Sequence, residues 1–163
     1  MASDTLTTLA TLVGARLRAK TLMLATAESC TGGWVAQAVT AIGGSSEWFE
    51  RGFVTYSDSA KQEMLGVSAR TLAEHGAVSE QTAREMAAGA LAHSRAQVAL
   101  AITGIAGPSG GSPEKPVGMV CFAWAARAGV PSSETRHFLG DRESVRRQSV
   151  IAALQGLLQL LEA

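Results

Sequence analysis

Ala27-Glu28-Ser29-Cys30-Thr31-Gly32-Gly33 follows the apolar run Leu22-Met23-Leu24-Ala25 and precedes Trp34-Val35-Ala36-Gln37-Ala38-Val39. The first run reads as a short buried strand, and the second has helical spacing. A strand that ends in small and hydroxyl residues and turns directly into a helix is the unit from which α/β layers are built. The first N–H groups of such a helix lack internal partners and sit at the positive end of its dipole, so the turn attracts phosphates, carboxylates and oxyanions. Ser29 and Cys30 add two candidate nucleophiles there, and Gly32 and Gly33 leave room for a ligand against the main chain. The alternative at this point is plainer: Ser29 and Thr31 cap a helix, as such residues commonly do.

The same strand–helix alternation extends outward from this turn. Before it, Leu6, Leu9, Leu12, Val13 and Leu17 recur at three- and four-residue intervals and predict an amphipathic helix. After it, the helix should run to about residue 42 and end at Gly43-Gly44-Ser45-Ser46. Arg51-Gly52-Phe53-Val54-Thr55-Tyr56 reads as a second strand, with Ser57-Asp58 capping a helix that carries Lys61. A short helix from about Ser68 ends at Gly76, and Ser79 caps the next. The apolar runs at 98–102 and 117–124 suit central strands covered on both faces. A further strand is predicted at 135–139, and Asp141 caps a long closing helix. The fold class expected is α/β: one layered domain over residues 1–163, with a mixed, mostly parallel sheet covered by helices. No helix separates the strands starting at 117 and 135, hence a mixed sheet. Toward its end the closing helix is apolar on more than one face, so it is either buried in the fold or packed on a partner, and a homo-oligomer, a dimer foremost, is expected.

Composition narrows the function. The 163 residues carry 14 basic and 14 acidic side chains and few aromatics, with no basic run interleaved with them, which argues against nucleic-acid binding. Cys30 and Cys121 are the only cysteines and lack CxxC spacing, which fits free thiols in a reducing compartment. Asp4, Arg16, Arg18 and Lys20 within an amphipathic pattern do not read as a signal peptide. The apolar tail over 150–161 is too short to span a bilayer and is broken by Gln155 and Gln159. A cytoplasmic protein without membrane attachment is expected.

Ligands of open α/β sheets gather beyond the C-terminal strand ends. Three such ends here are polar or glycine-rich: 28–33, 56–61, and Thr103-Gly104-Ile105-Ala106-Gly107-Pro108-Ser109-Gly110-Gly111. A serine attacks a carbonyl only when a base takes its proton. The three histidines suit that task badly: His75 lies at a helix end, His93 on an exposed helix face, and His137 in a predicted strand. A desolvated lysine is the other option. Lys61 is placed one helical turn past a strand end facing the site, although its position also fits a surface lysine. Tyr56 could hold that lysine, relay a proton, or simply cap the core with its hydroxyl at the rim. The loop after Thr103 offers backbone amides to an anion or a flat ring, or it is a plain linker. Arg142, Arg146 and Arg147 at the start of the closing helix oppose its dipole, which fits an anionic ligand nearby or ordinary pairing with Asp141 and Glu143.

Five stretches in order carry a resemblance: 27–33; Gly52-Phe53-Val54-Thr55-Tyr56-Ser57 with Lys61; His75-Gly76-Ala77-Val78-Ser79; 103–108 with Lys115-Pro116-Val117-Gly118; and Gly140-Asp141-Arg142. Together they resemble the CinA C-terminal family, most closely its stand-alone members, which are nicotinamide-nucleotide amidases. Larger CinA proteins carry an extra N-terminal domain that is not seen in this sequence, which favours the stand-alone type. The resemblance implies hydrolysis of the carboxamide of nicotinamide mononucleotide to nicotinate mononucleotide and ammonia, in pyridine nucleotide salvage for NAD synthesis. It implies a serine and a lysine rather than a metal or cofactor, which map onto Ser29 and Lys61 with Tyr56 beside them. Cys30, Thr31, Gly32, Gly33, Thr103, Gly104, Gly107, Arg142 and Arg146 are the expected substrate-binding residues. Amides of the 31–33 turn would take the oxyanion, and Arg142 or Arg146 would meet the phosphate. Cys30 is the rival nucleophile, since a thiol at a helix N-terminus ionises readily. A non-catalytic nucleotide-sensing or protein-interaction module is the competing reading.

Overall fold

A computed structural model of the chain describes residues 2–162. Its elements follow in order: α1 (Ala2–Lys20), β1 (Leu24–Glu28), α2 (Trp34–Thr40), a 3-10 turn (Ser45–Glu47), β2 (Phe49–Val54), α3 (Asp58–Leu65), α4 (Ala69–His75), α5 (Glu80–Ala92), β3 (Val98–Gly104), β4 (Met119–Ala126), β5 (Ser132–His137) and α6 (Arg142–Glu162). Five strands form one sheet in the order β2-β1-β3-β4-β5. β1 pairs in parallel with β2 and β3, whereas β4 is antiparallel to both β3 and β5. Four strands therefore run one way and β4 runs against them, the mixed sheet that the sequence predicts.

Strand side chains alternate between faces, and here the alternation is also one of size. Leu24, Val98, Leu100, Ile102, Val120, Phe122 and Trp124 pack into a core with α1, α2 and α6. Their neighbours Ala25, Ala27, Ala99, Ala101, Ala123 and Ala125 face a second core with α3 and α5. Alanines on the strands let α5 lie close to the sheet. At α5's own crossing with α3, a Cβ on Gly89 would collide with the backbone of Leu65. The Lys61-bearing α3 is thus held tightly against the molecule.

The caps expected at Ser57, Ser79 and Asp141 form, and Ser68, expected only as the start of a helix, caps as well. Ser57 Oγ accepts from Ala60 N, Ser68 Oγ from Arg70 N and Thr71 N, and Ser79 Oγ from Thr82 N. Asp141 Oδ1 accepts from Ser144 N at the start of α6. Several boundaries differ from expectation: β2 covers Phe49–Val54 and not 51–56, and β4 covers Met119–Ala126 and not 117–124. β1 covers Leu24–Glu28 and not 22–25, because Thr26, Ala27 and Glu28 keep their ladder to both neighbours. β5 starts three residues before the predicted 135, since its register comes from pairing with β4, Trp124 opposite Ser132 and Met119 opposite His137, and not from an apolar run of its own. The broad apolar surface of α6 is covered within the chain by the sheet and by α1. Trp124 donates from Nε1 to Ala153 O at 2.9 Å, and its ring lies where a Cβ on Gly156 would go. No described helix is long and apolar enough to cross a membrane.

This topology brings five chain segments to one edge. β1, β2 and β3 end there, β4 begins there, and β5, running with the first three, delivers the N-terminus of α6 to the same place.

Candidate active site

At the end of β1, alternation sends consecutive residues to opposite sides of the sheet. Glu28 turns toward α2, where its carboxylate accepts from Thr31 Oγ1 (2.6 Å), Val35 N (2.8 Å) and Ala36 N (3.1 Å). Ser29 turns toward α3. The main chain at this junction stays tied to both neighbouring strands, through Ser29 N to Ile102 O and Thr55 N to Glu28 O.

Lys61 is 1% exposed, and its Nζ lies 3.0 Å from Ser29 Oγ, 2.7 Å from Thr55 O and 3.5 Å from Tyr56 O. Burial pushes the Lys61 ammonium below the ordinary lysine range, while the Asp58 carboxylate on the same helix works in the other direction. A neutral amine has two N–H groups and one lone pair. In the structure Lys61 Nζ donates to Ser29 Oγ as well as to the carbonyls of Thr55 and Tyr56; a lysine that had lost its proton would keep its two N–H groups for the carbonyls and accept from the Ser29 hydroxyl instead. That is the geometry of a nucleophile and its general base.

Cys30 behaves otherwise. It is 6% exposed, and burial pushes its thiol up to about 12, with the Glu28 carboxylate adding to the effect against Arg146 and Lys61. The expectation that a helix N-terminus would ionise this thiol fails because α2's first amides already serve Glu28 and because desolvation dominates.

The Ser29–Lys61 pair opens into a cavity of about 330 Å³, also lined by Cys30, Tyr56, Ala77, Val78, the 103–107 stretch, Ser109, Gly110 and Arg142. Of the residues expected from sequence, Ser29, Lys61, Tyr56, Cys30, Thr103, Gly104, Gly107 and Arg142 therefore meet in one place. Thr103 is buried and donates to Ala77 O at 2.8 Å, which fixes one wall. Gly104 is glycine for a packing reason, since a Cβ would crowd Val120 and Met119 O. Gly107 has φ +84, and its Cβ position is taken by Val117. Arg142 donates from Nη1 to Gly107 O (2.8 Å) and from Nη2 to Tyr56 Oη (3.1 Å), so its guanidinium spans the cavity mouth. The Tyr56 ring is exposed, and only its carbonyl approaches Lys61.

Four expected residues lie elsewhere. Thr31 is fully buried on Glu28, and Thr31, Gly32, Gly33 and Arg146 line a separate surface depression with Trp34, Gln37 and Glu143. The Gly32 N–H is spent on Ser29 O, so it is not open to an oxyanion. None of the three histidines lines the Ser29 cavity. Among the described residues, no group of three or more His, Cys, Asp or Glu side chains could hold a metal ion. Sequence reasoning gave Glu28 no task, although an acidic residue at a strand end, with a threonine three residues on and a helix beginning next, is a signal for an internal cap.

Residues 6–161 match the family described as the CinA C-terminal domain. The sequence is 58% identical over 147 residues to the nicotinamide-nucleotide amidohydrolase PncC of Escherichia coli (strain K12), covering 90% of this chain and 89% of that protein. It is 54% identical over 157 residues to the nicotinamide-nucleotide amidohydrolase PncC of Pseudomonas putida, covering 96% and 98%. A crystal structure of the competence/damage inducible protein CihA from Agrobacterium tumefaciens is similar throughout, with a TM-score of 0.93, 48% identity, and coverage of 98% of this chain and 96% of that one. The chain belongs to the CinA C-terminal domain family.

Proposed function

We infer that the protein is an amidohydrolase that converts nicotinamide mononucleotide to nicotinate mononucleotide and ammonia, with Ser29 as nucleophile and Lys61 as its base. The observation that carries the reading is the buried Lys61 Nζ at 3.0 Å from Ser29 Oγ, beside a cavity of nucleotide size. The relatives' named activity supplies the substrate.

In this mechanism neutral Lys61 takes the Ser29 proton as Oγ attacks the carboxamide carbon. The resulting oxyanion is received by the Cys30 N–H, the amide that follows the nucleophile, and by the amides of Ala106 and Gly107, since the Ile105 N–H is held by Met119 O. Each such donor is worth roughly 3 kcal/mol in related chemistry. The C–N bond then breaks, the Lys61 ammonium protonates the leaving nitrogen, and ammonia departs. Water attacks the Ser29 ester, Lys61 takes its proton, and the Ser29 hydroxyl is restored as the nicotinate product leaves. Tyr56 and the 103–110 loop flank the pyridine and ribose, and Arg142 at the mouth meets the phosphate. Thr31, Gly32 and Gly33 act through the turn they build and not by touching substrate.

Ammonia release from nicotinamide mononucleotide tests this directly. Ser29→Ala is expected to lower kcat by about 10³-fold or more, whereas Cys30→Ala stays within about tenfold of the unmodified chain. The reverse result would make the thiol the nucleophile. Binding without turnover in the unmodified protein would leave a nucleotide sensor. We place the reaction in pyridine nucleotide salvage in the cytoplasm, carried out by residues 1–163 as one catalytic unit assembled into a homodimer.

A further inference from the structure

Arg146 follows Arg142 by one turn of α6, yet it works on the other side of the Ser29 turn. Its Nε donates to Cys30 O at 3.0 Å and its Nη2 to Thr31 O at 3.1 Å. The guanidinium carbon lies 5.6 Å from the centroid of the Trp34 ring, over which Arg147 also sits, at 5.0 Å. The two carbonyls belong to the residues immediately after Ser29. Gly32 and Gly33 come next, at φ +60 and +104, so the turn is built from residues that hold their own conformation weakly. Cys30 O lies outside any helix or strand ladder and takes its hydrogen bond from Arg146.

We propose that Arg146 is a positioning residue, a two-pronged clamp on the carbonyls of Cys30 and Thr31 that holds Ser29 Oγ at Lys61 Nζ. The proposal rests on the reading of Ser29 and Lys61 as nucleophile and base. It replaces the expectation that Arg146 contacts the phosphate, because the depression that Arg146 lines is not the Ser29 cavity. Glu28 secures the same turn from its other end through Thr31 Oγ1. A planar fork reaches both carbonyls at once, and the single ammonium of a lysine cannot reproduce it.

The test uses the full chain with Arg146→Ala and Arg146→Lys, reading kcat and KM for nicotinamide mononucleotide and hydrogen exchange in the peptide containing 29–33. Arg146→Ala is expected to lower kcat about 10- to 100-fold, because a nucleophile displaced by an ångström loses that order of rate. KM should stay within about twofold, which separates positioning from substrate binding. Exchange at 29–33 should quicken, and Arg146→Lys should fall between the two. A raised KM with unchanged kcat makes Arg146 a substrate contact and overturns the proposal, as does no change in either. If Arg146→Ala does not fold, Arg146→Lys decides by the same criteria, since it keeps stem and charge. If the unmodified chain releases no ammonia, the functional reading fails by itself. The clamp is then judged by exchange alone, and unaltered exchange at 29–33 in Arg146→Lys overturns it.

Discussion

Ser29 and Cys30 are neighbours at the end of one strand, and the structure separates them by what surrounds each. The serine hydroxyl meets a lysine whose charge burial disfavours, while the thiol is itself buried and kept protonated. That difference is why the proposed mechanism uses the hydroxyl and not the thiol, whose ionisation burial opposes. The arginines divide in a similar way. Arg142 reaches across the cavity mouth to Gly107 O and Tyr56 Oη, so removing it should weaken binding of an anionic group there. Arg142→Ala is expected to raise KM for nicotinamide mononucleotide by about 10-fold or more, and to change KM for the phosphate-free riboside far less. Steady-state kinetics on both substrates checks this, and equal changes for the two would move the phosphate contact elsewhere.

Among the elements, α2 depends most on a single side chain. It has seven residues and no side-chain cap from Gly33, and a helix that short is marginal without tertiary help. Glu28 supplies that help from the end of β1 by taking the N–H groups of Val35 and Ala36. Glu28→Ala would strand these donors and the Thr31 hydroxyl in the interior, so a loss of about 2–4 kcal/mol is expected in denaturant unfolding. Glu28→Gln keeps one acceptor oxygen and should cost less. A Glu28→Ala protein as stable as its parent would show that α2 is held by packing alone. On the opposite face α3 has a conventional Ser57 cap and closes against α5 at Gly89. The Ser29 turn is thus held from one layer of the sheet and Lys61 from the other.

For the whole molecule, the buried lysine links folding to pH. Its folded-state pKa lies below the model-compound 10.5, which the unfolded chain approaches. Between the two values the unfolded chain binds the extra proton, so this residue makes stability rise with pH across that window, and its destabilising effect is fully present below the folded-state value. Lys61→Met is expected to abolish turnover and to remove that slope, leaving the parent gaining on the variant as pH climbs toward 10.5. Urea unfolding at several pH values reads it, and identical pH dependence in both proteins would mean that Lys61 is charged in the fold. The rate should move the same way, with kcat/KM rising as pH passes upward through the lowered lysine value. From the sequence alone came the alternation of strands and helices, the caps at Ser57, Ser79 and Asp141, and the gathering of Ser29, Lys61 and the 103–107 loop at one sheet edge, because periodicity, cap chemistry and strand direction are local properties. Tertiary structure alone decided that Glu28 occupies the helix amides expected to be open, that burial holds the Cys30 thiol protonated, that α6 packs on α1, and that Arg142 and Arg146 line different depressions. Each of these depends on which side chain reaches a group far away in the chain, and on how much water is left there when it does.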